Sequence, residues 1–249
     1  MTKIVYKHRM TLFIGNIDKA LRVISTDTKR SDSVVQYVIR AILSNKLNPG
    51  VKLSEISLQE EFGFSRNVVR EGFVKLVDAG VLVHKKNQSV RVVIPSEEQT
   101  KQIFQARKVI ENGIMQILLE NYLNGNLDVQ LIENLIEEEK RLHNKGLNAE
   151  LTQASCNFHL RLAELCNNQY LVESLQPLIL LSALAASVFA DKRSGFCSFK
   201  EHQDLFEAIK SKDESKTVTA INIHLDNCVD SLDFDLKPKE RTSYSHIFN

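Results

Sequence analysis

The chain has 249 residues, 25% of them charged and 43% apolar, with a formal net charge of +1. That length admits two ordinary domains, and that mixture excludes a disordered or low-complexity polymer. The charge is unevenly divided: residues 1–95 carry 16 Lys/Arg against 8 Asp/Glu, and the remainder carries 16 against 23. A polyanion partner is therefore expected at the front of the molecule, and none is expected at the acidic rear.

Residues 1–30 form a basic extension. A first domain is expected over 31–95. Val35, Val38, Ile39 and Ile42 mark an apolar helical stripe that ends near Asn45. Leu47-Asn48-Pro49-Gly50 is a turn, and residues 51–53 suit a brief strand. Ser57 is placed to cap a short helix closed by Gly63. Ser65 caps a longer helix, with Val69, Phe73, Leu76 and Val77 on one stripe and Gly80 as its stop. From Val81 the pattern alternates as two strands around a polar tip at 85–89. Helix, turn, helix and hairpin in this order predict a winged helix-turn-helix, whose second helix enters the DNA major groove.

The candidate DNA contacts lie at the start of that second helix. Arg66 and Arg70 are one helical turn apart and share a face, with Ser65 and Asn67 beside them. Arginine can grip a guanine edge or a phosphate with two hydrogen bonds, and the first-turn N–H groups also suit a phosphate. Lys85 and Lys86 add charge at the wing tip, with Arg91 close behind. The competing reading is a capped surface helix with solvated arginines.

Residues 95–98 read as a hinge. Beyond it, helical stripes run through 102–122, 129–145, 150–166, 169–189, 199–211 and 214–232, and no strand is expected. About six helices joined by short loops predict an antiparallel bundle over 99–233, followed by a polar tail at 234–249. The fold class is thus mainly α, a winged helix-turn-helix plus an all-helical bundle. The four cysteines include no CxxC pair, which favours reduced thiols in a cytoplasm. No run is read as reaching the ~18 apolar residues of a membrane span. The longest, 178–190, better suits a buried helix, so no membrane partner is expected.

Three histidines fall on the inward stripes of different helices. His159 is in register with Ser155, Leu162 and Cys166, His202 with Phe199, Phe206 and Ile209, and His224 with Ala220, Ile221 and Cys228. A buried imidazole needs a hydrogen bond or a metal. Three converging imidazoles can hold a divalent ion of the zinc or nickel type and leave a position open for a carboxylate. The alternative is that each is a satisfied core residue. An organic acid could then bind through histidines and arginines alone, with Arg107 and Arg193 as candidates. A metal-dependent hydrolase is a further alternative, but the in-register neighbours of His159 offer no carboxylate to act as general base.

The run from Ala41 to Leu82, AILSNKLNPGVKLSEISLQEEFGFSRNVVREGFVKLVDAGVL, resembles the DNA-binding domain of GntR-type bacterial transcription regulators. The resemblance is carried by the Leu-x-Pro-Gly turn, Leu53-x-Glu55, the Phe-Gly-x-Ser-Arg junction at 62–66, and Val69-Arg70-Glu71. It implies that Arg66 and Arg70 contact operator DNA. Three positions depart from the pattern: Ile56 stands where some members carry an arginine, the wing tip lacks its usual glycine, and Gly72 replaces alanine. Ala106-Arg107-x-x-Ile110-Glu111 resembles the opening of an FCD effector domain of the shorter, VanR-like kind. Asn157-Phe158-His159, Glu201-His202 and His224-Leu225 resemble its metal-binding positions, with Ser155 where an aspartate is usual. The resemblance implies a cytoplasmic bacterial repressor, homodimeric on an inverted-repeat operator, that responds to a small organic acid. A structural DNA-binding dimer with no effector is the remaining alternative.

Overall fold

Nine helices and a two-stranded sheet make up the described residues of the computed structural model, 30–44, 46–84, 88–190 and 197–236. The basic extension up to residue 29, Lys85, Lys86, Arg193 and the tail from residue 237 lie outside them. The front of the chain folds as α1 (Arg30–Leu43), α2 (Glu55–Phe62), α3 (Arg66–Asp78), β1 (Leu82–Val83) and β2 (Arg91–Val92). This is the expected winged helix-turn-helix. Val34, Val35, Val38, Ile39 and Ile42 of α1 meet Leu58 of α2 and Val69, Phe73 and Leu76 of α3 in one buried core. The wing strands pair antiparallel, Leu82 with Val92 and Val83 with Arg91. Residues 51–53 add one bridge, Lys52 with Arg91, backed by Leu53 N–H donating to the Val90 carbonyl at 2.8 Å.

Local signals set most of the boundaries. Gly63 closes α2 with a left-handed φ of 65°. The Ser65 hydroxyl accepts from Val68 N–H and starts α3. The start of α2 differs from expectation: Ser54, not Ser57, is the cap, and its hydroxyl accepts from Ser57 N–H. Glu55 thus becomes the first helical residue. Gly72 has a packing reason that composition did not reveal. A Cβ there would lie 2.7 Å from the Val34 side chain, so the glycine lets α3 sit close against α1. Gly72→Ala is expected to destabilise the protein by about 1–3 kcal/mol through overpacking, despite the better helix propensity of alanine. Urea unfolding would show it, and a stabilised variant would refute the close-packing account.

Six helices follow: α4 (Glu97–Leu123), α5 (Val129–Asn144), α6 (Asn148–Leu165), α7 (Gln169–Phe189), α8 (Phe199–Lys210) and α9 (Glu214–Asp230). The expected hinge is shorter than read. Ser96 and Gln99 form a reciprocal capping box that starts α4 at Glu97. Helix α4 is the spine, packing on α6, α7, α8 and α9. Helix α7 is long and apolar enough to cross a membrane by length and composition, contrary to expectation. Its apolar surface has a use within the bundle, where Leu175, Ile179, Leu180 and Leu184 are fully buried. Phe234, assigned to the polar tail, packs on Phe189 at a ring separation of 5.1 Å. The front unit rests on the bundle through α1, which touches α6 and α7.

Candidate DNA interface and metal centre

Ser65, Arg66, Asn67 and Arg70 are all exposed at the N-terminal end of α3. Both arginines engage Glu55, the residue that the shifted start of α2 places opposite them. Arg66 Nε donates to Glu55 Oε2 at 3.2 Å, and Arg70 Nε donates to its two oxygens at 3.0 and 3.1 Å. Burial raises the Glu55 carboxyl, but hydrogen bonds from Arg70 and Arg66 outweigh it and bring it below its ordinary value. The pairing is peripheral. The side chains remain 64% and 55% exposed, and the Glu55 contacts use Nε. One carboxylate thereby aims two guanidinium groups without covering them. Arg91 instead donates through Nη1 to the Gly50 carbonyl at 3.0 Å and braces the wing.

The second constellation lies inside the bundle. His159 on α6, His202 on α8 and His224 on α9 are 3%, 0% and 1% exposed. His159 Nε2 lies 3.3 Å from His202 Nε2 and 3.2 Å from His224 Nε2. The opposite nitrogen of each ring faces a carboxylate: His159 Nδ1 to Glu111 Oε2 at 2.6 Å, His202 Nδ1 to Glu139 Oε2 at 2.7 Å, and His224 Nδ1 to Glu201 Oε2 at 2.8 Å. A carboxylate accepts, so each Nδ1 carries a proton, and the Nε2 lone pairs are left to converge. Phe158 stacks on the His202 ring at 4.0 Å and fixes its plane.

Three lone pairs at this spacing repel unless a cation sits among them. Burial pushes His159 down to about 3, the first effect in its balance, so it stays a neutral donor. Burial opposes the charged form of His224 too. Cys228 and Glu201 beside it outweigh that, holding it at about 9. Without a metal, a proton on His224 supplies the positive charge. A metal held by these nitrogens would compete with this proton for one place.

A thiol completes the cluster. Cys197, in the connection between α7 and α8, has its Sγ 3.2 Å from His202 Nε2 and 3.6 Å from His224 Nε2. The four donors all lie within 4.8 Å of one another. Ser155 is near in sequence to His159 and buried, and its hydroxyl has no hydrogen-bond partner among the described residues. Arg107 is 2% exposed and donates through Nε to Glu111 Oε1 at 2.7 Å. Its Nη2 is buried with no hydrogen-bond partner among the described residues.

The sequence reading missed Cys197 and all three carboxylates. Glu139 had left a signal, since it stands on the same buried stripe of α5 as Ile132, Ile136 and Leu142. Glu111 follows Arg107 by one helical turn, the spacing of an ion pair. Glu201 follows no such rule, and its reach to the next helix is a property of the fold. The in-register neighbours of His159 on its own helix offer no carboxylate, but Glu111 supplies one from α4.

A winged helix with exposed arginines, joined to a helical bundle with a polar centre, is the architecture of a DNA-binding transcription regulator. The chain belongs to the GntR family of bacterial regulatory proteins, with an FCD domain behind the DNA-binding head. The family model for bacterial regulatory proteins of the gntR family matches residues 30–92, and the FCD domain model matches residues 102–227. The chain is 24% identical over 213 residues to the HTH-type transcriptional regulator LutR of Bacillus subtilis, covering 77% of this chain and 95% of that one. It is 26% identical over 215 residues to the Uxu operon regulator of Haemophilus influenzae, covering 79% of each. Among solved structures, a GntR transcriptional regulator from Rhodococcus sp. RHA1 superposes with a TM-score of 0.69 at 19% identity, over 82% of this chain and 97% of that one. McbR/YncC of E. coli gives 0.70 at 18% identity, over 82% and 96%. The structures share the fold. The families and relatives are transcription regulators, not enzymes, which sets aside the hydrolase alternative.

Proposed function

We propose that the chain is a ligand-responsive repressor, a cytoplasmic homodimer that binds an inverted-repeat operator and senses a divalent ion with a small carboxylate in its helical domain. The observation that carries the sensor half is the convergence of three Nε2 atoms, each ring turned by its own carboxylate. Such backing fixes the tautomer a metal requires. The residues fit an ion: His159, His202 and His224 would hold it, and it would supply a positive anchor for an anionic effector. Arg107 Nη2, which has no hydrogen-bond partner among the described residues, favours the carboxylate, since an anion beside the ion would give that group a partner. The Arg107 guanidinium already lies within electrostatic reach of Cys197 and Cys228. Arg193 remains a second candidate for the same anion.

At the DNA end, Ser65, Arg66, Asn67 and Arg70 would enter the major groove, and Lys85 and Lys86 of the wing would follow the backbone. The two ends are joined by packed elements. His159 sits on α6, α6 and α7 touch α1, and α1 packs against α3. An effector that favours one arrangement of α6 and α7 would bias the head by its difference in affinity for the two arrangements.

Arg70→Ala is expected to weaken operator binding by about 1–3 kcal/mol at fixed salt. Gel shift with the cognate inverted repeat would measure it. An unchanged affinity would remove Arg70 from the interface. Arg70→Lys separates the roles: lysine keeps a charge for a phosphate but loses the two-pronged grip on a base.

A further inference from the structure

We infer that Cys197 is the fourth protein ligand of the metal centre, so that the site takes a thiophilic divalent ion of the zinc class in a three-nitrogen, one-sulfur shell and Ser155 takes no part. This rests on the metal reading above and concerns which donors complete it. The first argument is spacing. An ion held tetrahedrally at about 2.0–2.1 Å from nitrogen and about 2.3 Å from sulfur sets its donors roughly 3.3 Å apart for N···N and roughly 3.6 Å for N···S. The N···N separations from His159 to His202 and His224 are 3.3 and 3.2 Å, and the S···N separations from Cys197 to His202 and His224 are 3.2 and 3.6 Å. Four of the six donor separations thus match those a single ion would set, and all four donors, from four segments of the chain, lie within 4.8 Å of one another.

The second argument is the fate of the alternatives. Ser155 stands one helical turn before His159 on α6, but a neutral hydroxyl is a poor ligand beside a thiolate. Cys228 is the rival thiol. Its Sγ lies 3.8 Å from His224 Nε2, and it stands outside the set of donors that share a common centre. The fourth donor then comes from the connection before α8, not from the helix that bears His159.

A thiolate changes what the site accepts. Sulfur favours zinc and cobalt over magnesium and manganese, which prefer oxygen donors. It also fills the fourth position from the protein. A small carboxylate then joins as a fifth ligand, or through Arg107 alone, rather than as the group that completes the shell.

Cobalt(II) titration of the full-length protein, purified without an oligohistidine tag and stripped with chelator, tests the assignment. The wild-type protein is expected to show a near-ultraviolet thiolate-to-cobalt charge-transfer band together with intense visible bands of four-coordinate cobalt. Cys197→Ser is expected to lose the charge-transfer band and bind cobalt roughly tenfold or more weakly. Cys228→Ser should keep the band, and Ser155→Ala should leave band and affinity unchanged. Bound cobalt without a thiolate band in the wild-type protein would overturn the role of Cys197 and leave the three-histidine site standing. So would a band that survives in Cys197→Ser or disappears only in Cys228→Ser. Absence of cobalt uptake would remove both the ligand and the metal site. The wild-type spectrum needs no variant, so a folding defect in Cys197→Ser would not blunt the test.

Discussion

Glu111→Gln is expected to cost about 3–5 kcal/mol of folding stability, the range for stranding one member of a buried ion pair. Glutamine keeps the volume, so the loss is electrostatic rather than a cavity. The two side chains are 3% and 4% exposed, and Glu111 serves two donors at once, Arg107 Nε at 2.7 Å and His159 Nδ1 at 2.6 Å. A glutamine has a single carbonyl oxygen, and its amide N–H₂ would face a second N–H. Burial alone would raise the Glu111 carboxyl; Arg107 and His159 outweigh it and hold the group well below the usual carboxylate range. A lowered value stabilises the fold above the ordinary 4.5, and that contribution is lost as pH falls below it. Urea midpoints should therefore separate wild type and Glu111→Gln most at neutral pH and converge in acid. The paired change Arg107→Met with Glu111→Leu should recover much of the loss, because it strands neither charge. A single variant within ~0.5 kcal/mol of wild type would show that Arg107 finds another partner. The same substitution frees the His159 ring to turn and should weaken metal binding by roughly 10–100-fold.

The fold was legible where independent local signals agreed. The stripe Val69, Phe73, Leu76 placed α3, and Gly63 and Ser65 fixed the turn before it, because helix period and cap chemistry agree there. Ser57 misled because Ser54 offered the same cap three residues earlier, ahead of an acidic first turn, and sequence spacing does not choose between them. Membrane-grade hydropathy in α7 and the tight glycine at 72 reflect the same limit. Both make sense only once the helix that covers them is known. At the centre, the histidines declared themselves as polar residues on apolar stripes. Their partners did not, because Glu111, Glu139 and Glu201 meet them across gaps of 48, 63 and 23 residues. Cys197 lies in a connecting segment, where no period says which way a side chain turns. The charge split along the chain, by contrast, needed no fold to point to the DNA end. Glu55 refines that point: an acidic residue within a basic surface aims the arginines and does not cancel them.

Zinc at about 1,000-fold over its dissociation constant should stabilise the native protein by about 4 kcal/mol through mass action, since the unfolded chain holds no such centre. For a chain of this size that corresponds to roughly 8–16 °C in melting temperature. Calorimetry of the chelator-stripped protein, with and without zinc, would read the shift. The pH dependence gives the result a signature. His224 is raised from 6.5 to about 9 in the metal-free fold, so its proton stabilises that fold below 6.5 and ceases to do so as pH rises through about 9. Zinc must displace that proton, and its increment should grow as pH rises across the same window. A shift that is large but independent of pH would point to an ion bound elsewhere. No shift in zinc, cobalt or nickel would leave the imidazoles as a protonated hydrogen-bonded core. If a screen of organic acids then also failed to move the melting temperature, the protein would be a DNA-binding dimer without a sensor. A shift in an acid only after zinc is restored would place the ion between the effector and the protein, and would tie the signal to the contacts that run from α6 through α1 to the recognition helix.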